Sequence, residues 1–199
     1  CLFGLSMACS SIVIAEDRPL PDYGLCKKAH GDGTLILSGN VRVSLIGIDK
    51  PLPTEESLIF LNNLVQNKDV WLEYDPNNKI VNHRNNHEHL LAYVYLEDGT
   101  FVNKTLIWHG YGIVDTRYPF KFSKKFLRLE RHAQKDKSGI WSDPGKIPFV
   151  ASKTDRIVHL PTCPRARNIR INQKIIIKSR AEADTMGYSP CTNCAPYRE

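Results

Sequence analysis

The sequence offers no hydrophobic run long enough to cross a bilayer, no internal repeat and no low-complexity tract. The apolar stretch near its start, Leu2 to Ala15, falls short of the roughly 20 residues that a spanning helix requires. The missing repeat excludes a solenoid or array. An acidic excess is missing as well: the formal net charge is +6 and the pI about 9.0. That balance favours a polyanionic partner over an acidic protein surface. The basic excess is local. From Ala151 onward there are nine Lys/Arg against four Asp/Glu, whereas the first 150 residues are nearly balanced at 18 against 17.

At 199 residues with 42% hydrophobic content, the chain can bury one ordinary core and one small satellite. The sequence opens at Cys1 without a Met. Leu2 to Ala15, followed at once by Glu16-Asp17-Arg18-Pro19, reads as the apolar core and cleavage end of an export signal, with Val13-Ile14-Ala15 before the cut. A lipid anchor at Cys9 is the rival reading, although no aliphatic residue stands three positions before it. An ordinary N-terminal strand or helix is the third. Export to the periplasm or medium would place the chain where disulfides form.

Between Tyr23 and Asp49 the pattern is strand-like, with Thr34-Leu35-Ile36-Leu37, a turn at Ser38-Gly39-Asn40, and Val41 to Ile48. A helix is expected from Thr54, with Glu55 and Glu56 in its first turn and Leu58, Leu61, Leu64 and Val65 as its apolar stripe. Asp69 to Asp75 alternates as a strand. A polar loop, Asn77 to His89, leads to a buried strand at Leu91 to Tyr95 and the Asp98-Gly99 turn. Helices are expected over Asn103 to His109 and Ser123 to Lys137, each stopped by a glycine. The stretch from Ser142 to Ser152 reads as linker, with Pro144, Gly145 and Pro148. Five strands among three helices fit an OB-type barrel or an open α+β sandwich.

Several words in this region carry a resemblance. Gly31-Asp32-Gly33-Thr34, Val43-Ser44-Leu45-Ile46-Gly47-Ile48-Asp49, Leu91-Ala92-Tyr93-Val94-Tyr95, Asp98 to Asn103 and Gly139-Ile140-Trp141 stand in the order and spacing of the thermonuclease (staphylococcal-nuclease-like) family. The likeness covers about residues 23 to 143. It implies an OB-fold barrel and, in active members, calcium-dependent cleavage of DNA and RNA. That chemistry needs carboxylates for a hard cation, a Glu to position water, and two Arg to stabilise charge on the phosphoryl oxygens. The resemblance places a metal Asp at Asp49. It places a second near Asp32, in a scrambled Asp-Gly-Asp-Thr word that requires a one-residue shift. Where the family has its strand Arg this chain has Ser44, where it has Glu the chain has Leu52, and where it has the second Arg the chain has His89. Substitutes are conceivable: Arg42, about 6.6 Å along the strand from Ser44, Glu55 or Glu56, and His89 as a proton donor. Needing all three at once favours a barrel that has lost the chemistry, because phosphoryl transfer tolerates little misplacement. Separately, the His83 to His89 loop, with three histidines, offers a candidate transition-metal site.

The tail carries His159-x3-Cys163 and Cys191-x2-Cys194, one imidazole and three thiolates, which is a closed set for structural zinc. Ile175-Ile176-Ile177 reads as a short strand, and Ser179 with Glu182 as the capping box of a small helix. With the Gly187-Tyr188-Ser189-Pro190-Cys191 ending, the stretch resembles the zinc-binding module of Ada-type DNA-repair proteins. In that family the first ligand is typically Cys; His159 stands there here, so alkyl transfer is not expected. A Cys191–Cys194 disulfide is the rival and leaves His159 and Cys163 unexplained. Arg165, Arg167, Arg170, Lys174, Lys178 and Arg180 lie between the ligand pairs and suit sequence-independent contacts to DNA or RNA phosphates.

The expected organisation is therefore a leader over 1–22, a nuclease-like barrel over 23–143, a linker over 144–152 and a zinc module over 153–199. Three functions compete. The first is a nucleic-acid-binding protein with a degraded nuclease site. The second is a divergent metal-dependent nuclease using Asp49, Asp32 and replacement residues. The third is a surface protein that binds a peptide or other polyanion.

Overall fold

The computed structural model describes residues 20–50, 52–143, 147–194 and 196. The expected export signal or lipid anchor lies outside them, apart from the end of the leader. Nine strands and five α-helices lie among the described residues. Strands β1 (Tyr23–Ala29), β2 (Leu35–Leu37), β3 (Arg42–Leu45), β4 (Lys68–Glu73) and β5 (Leu90–Leu96) close a barrel in the order β1-β2-β3-β5-β4. Within the barrel only β3 and β5 pair in parallel. A register shift between Cys26 and Lys28 lets β1 pair with both β2 and β4, as closure by a bulged strand requires. This is the OB-type barrel, and the open sandwich is excluded.

Alternation along the strands points Leu35, Leu37, Val43, Leu45, Val70, Leu72, Leu90, Ala92 and Val94 inward, all buried. Helix α1 (Glu55–Val65) starts where expected. The Thr54 side chain accepts the Ser57 N–H at 3.1 Å, and Glu55 and Glu56 occupy the first turn. Helix α2 (Val102–Trp108) and helix α3 (Ser123–Lys135) pack on each other beside the barrel. Asn103 on α2 is fully buried; it accepts the Val94 N–H and donates to Ile46 O, both at 2.9 Å, clamping the helix to β5 and to the end of β3. Cys26 is also buried, and burial pushes its thiol up to about 11, which disfavours the thiolate.

The C-terminal unit is a four-stranded sheet in the order β8-β6-β7-β9, built from β6 (Phe149–Ser152), β7 (Ile157–His159), β8 (Lys174–Ile177) and β9 (Ser189–Pro190). Helices α4 (Pro164–Arg167) and α5 (Arg180–Thr185) complete it. Residues Phe149–Ser152, expected as linker, are instead an inner strand paired with both β7 and β8. The preceding prolines and glycine hid a short apolar run, Phe149-Val150-Ala151, that two partner strands stabilise. Ser179 caps α5 through the Glu182 N–H, and Glu182 reaches back to the Lys178 N–H, one residue before the cap. Ala151, Val158, Ile177, Ala183 and Tyr188 form a small core. No helix among the described residues is long and apolar enough to cross a membrane.

Candidate functional site: a metal centre and a bridged carboxylate cluster

In the C-terminal sheet, β7 ends on His159, Cys163 follows in a tight turn, and β9 runs parallel to β7 and delivers Cys191. The Cys191 N–H donates to Val158 O at 2.9 Å, fixing that strand end beside His159. The ligand atoms of His159, Cys163, Cys191 and Cys194 all lie within 4.8 Å of one another. The first three residues are buried. Nδ1 of His159 is buried without a hydrogen-bond partner, and burial pushes the imidazole below its usual range. A neutral ring with an orphaned lone pair beside three sulfurs fits a cation. A Cys191–Cys194 disulfide would leave that nitrogen and the Cys163 sulfur buried and unused. The Leu160 N–H also points at Cys194 Sγ, at 3.4 Å, as amides do around metal-bound thiolates. The four residues fit zinc, which would stabilise a module with a small apolar core.

The barrel residues expected to bind a cation are engaged by side-chain cations. Asp32 accepts the Thr34 N–H and hydroxyl, both at 2.9 Å, and lies 3.4 Å from the Lys50 ammonium. Burial opposes its ionisation, but Lys50 and the Thr34 hydrogen bonds prevail and hold the carboxyl at about 2. The same ammonium donates to the Thr34 hydroxyl, and to Ser44 Oγ at 3.1 Å. Asn85 Nδ2 donates to that Ser44 oxygen at 3.1 Å. The position of the family's strand Arg is thus a buried hydroxyl that accepts twice. Leu52, at the family's Glu position, is buried in the main core, and the substitutes Glu55 and Glu56 are exposed on α1.

Asp49 follows Gly47, whose positive φ and absent Cβ let the Phe120 and Phe126 rings close over the turn. Ile48 bridges to Val114, so the Asp49 N–H bonds Ile113 O and the Asp115 N–H bonds Gly47 O. This backbone pairing sets Asp49 beside Asp115 and Arg117. The Arg117 guanidinium donates to Asp115 at 2.9 and 2.6 Å, to Asp49 at 3.2 Å and to Ile169 O at 3.3 Å. Lys174, at the start of β8, donates to both Asp49 oxygens at 2.8 and 2.6 Å, with its side chain only 1% exposed. Burial pushes the Asp49 carboxyl up, while Lys174 and Arg117 pull it back.

A second contact locks the two units together. Arg167, at the end of α4, donates to Val114 O at 2.6 Å and to the Glu130 carboxylate on α3 at 2.5 Å. Its own N–H bonds the carbonyl of Cys163, one turn back. Of the six basic tail residues, Arg167 and Lys174 are therefore spent on the barrel. Arg165, Arg170, Lys178 and Arg180 are exposed, Arg180 pairing with Asp184. His89 and the exposed Arg42 line one shallow cleft with His87 and Arg84. Burial, then the Lys50 charge, lowers His89 below the usual histidine range. Its Nδ1 and that of His83 are buried without partners, yet the His83 to His89 loop gathers no three-ligand set among the described residues. Sequence reasoning missed Lys50, Asp115 and Arg117; none stands in a word of recognisable spacing.

Fold and site together define a two-unit protein, an OB barrel with a nuclease-type carboxylate turn and a metal-binding module docked against it. Residues 42–143, just over half the chain, match the staphylococcal nuclease homologue family, and the chain belongs to that family. Residues 146–197 match the metal binding domain of Ada, to which the C-terminal unit is similar. No curated protein matches the chain.

Proposed function

We propose that this is an exported, sequence-independent nucleic-acid-binding protein whose nuclease-type barrel does not cleave. The observation that carries the reading is the Lys174 ammonium on both oxygens of Asp49. Metal-assisted hydrolysis needs that carboxylate for a divalent cation, to neutralise the phosphate and orient the attacking water. With the module docked, a protein cation neutralises it and the space is closed. Lys50 does the same for Asp32. Ser44, Leu52 and His89 further remove the two cationic donors and the carboxylate that would stabilise the phosphoryl oxygens and direct water. The family supports nucleic acid as ligand, the exposed tail cations support phosphate contacts, and Leu2 to Ala15 supports export, with lipid anchoring at Cys9 as its variant.

One observation favours a second reading, a divergent nuclease using calcium or another divalent ion. Arg117 reaches Asp49 from outside the family words and offers a guanidinium beside the retained carboxylate. One experiment separates the two. Purified protein is incubated with plasmid and single-stranded DNA in Ca²⁺, Mg²⁺, Mn²⁺ or Zn²⁺. The proposal expects binding at low salt and intact DNA. Metal-dependent cleavage abolished by Asp49→Ala would replace it with the nuclease reading.

A further inference from the structure

Counting charge along the chain credits the tail with the basic excess; the fold places a second concentration elsewhere. Helix α3 carries Lys124, Lys125, Arg128, Arg131 and Lys135 against a single acid, Glu130. Phe126, Glu130 and Ala133 are its buried face, and Glu130 is turned inward to Val114 and Arg167. Lys124, Arg128, Arg131 and Lys135 are all exposed. At about 100° per residue, these four fall within an arc of roughly 60° on the side opposite the core. None of the four forms an ion pair with a carboxylate among the described residues, and the nearby Asp136 is paired with His132. Lys124, Leu127, Arg128 and Arg131 line a shallow, open depression.

We infer that this face of α3 docks on the sugar–phosphate backbone of a nucleic-acid duplex, an assignment that rests on the nucleic-acid reading above. Four unpaired cations facing one way on a rigid element repel each other, and a polyanion relieves that repulsion. The row is straight: Lys124 to Lys135 covers about 16 Å of helix axis at 1.5 Å per residue. Over that length a duplex presents one phosphate charge per about 1.7 Å of its axis, both strands counted, which is more than four cations can neutralise. Neighbouring cations are spaced three or four residues apart, so each can serve a different phosphate. The arc itself holds no aromatic side chain, and the exposed ring beside it, Trp108, is already stacked on His132 at 4.4 Å, whereas single-strand binders interleave cations with rings that stack on bases. A regular duplex backbone is the polyanion this row fits. Because α3 lies outside the carboxylate cluster, such binding requires no access to Asp49.

The test is fluorescence anisotropy of the full, zinc-loaded chain with a short labelled DNA duplex and, separately, its single strand, over a salt series. The variant K124Q/R128Q/R131Q/K135Q should bind duplex on the order of a hundredfold more weakly at low salt, with a salt slope lower by about 3 to 4. The tail variant R165Q/R170Q/K178Q should lose less. K124R/K135R should bind like the wild type. The exposed positions leave the unfolding midpoint unchanged, which checks the fold. Wild-type binding with an unaltered slope in the α3 variant would overturn the surface while sparing the function. Equal losses for single strand and duplex would overturn the duplex assignment. A wild type that ignores nucleic acid but binds an acidic protein would overturn both.

Discussion

Replacing Lys174 with Met should weaken the barrel, although Lys174 belongs to the other unit. The ammonium is buried and contacts both oxygens of Asp49. Met preserves the stem and its packing but removes the charge. A buried pair broken on one side typically costs about 3–5 kcal/mol, because the remaining ion is left without compensation. Here Arg117 stays at 3.2 Å but is shared with Asp115, so the expected loss is about 2–4 kcal/mol. All three tryptophans, Trp71, Trp108 and Trp141, precede the C-terminal sheet, so guanidinium unfolding followed by their fluorescence reports the barrel side alone. The informative measurement is a cycle with Asp49→Asn and the double variant. Coupling of at least about 1.5 kcal/mol is expected, since the double variant leaves no orphaned charge. Effects that add within about 0.5 kcal/mol would refute the contact as a source of stability.

Zinc removal should act on the barrel interface as well as on the metal site. Arg167 is held one turn from Cys163, so Cys163→Ser or a strong chelator should free Arg167 from Glu130 and raise protease sensitivity across the tail; stoichiometric zinc by metal analysis is the baseline. Asn103→Ala orphans the Val94 N–H and Ile46 carbonyl in a dry core and should cost about 2–4 kcal/mol by denaturant midpoint. Gly110→Ala puts a Cβ 2.1 Å from the Ser138 carbonyl oxygen at a φ of +75°; a loss of roughly 2–4 kcal/mol is expected in thermal unfolding. Asp32 has a folded pKa of about 2, below its ordinary 3.8, so its stabilisation is present above pH 4 and lost as pH falls toward 2. Because its side chain is 42% exposed, screening limits this to about 1 kcal/mol; Asp32→Asn should flatten the acid limb by that amount.

The barrel was legible because its turns and paired strands leave short words, such as Leu45-Ile46-Gly47-Ile48-Asp49, whose spacing is local. The zinc set was legible for the same reason, two ligand pairs at fixed offsets. The Asp49–Lys174 pair was not. It joins positions 125 residues apart, and no periodicity links a turn carboxylate to the first residue of a distant strand. Phe149–Ser152 looked like linker because prolines and a glycine precede it, while its strand character comes from partners on both sides. The cations of α3 escaped a charge count because acids elsewhere in the first 150 residues cancel them, although a helix gathers them on one face.

Lys174 also changes what a dissolved cation faces at Asp49. The ammonium is tethered, so its local supply stays fixed when the protein is diluted and is set by the chain rather than the medium. Tethered groups compete at effective concentrations reaching the millimolar range or above. A divalent ion must outcompete this internal rival before it meets the carboxylate, and any ion that binds more weakly than that is excluded. The docked module thus sets the competitor that any divalent ion would have to displace at Asp49.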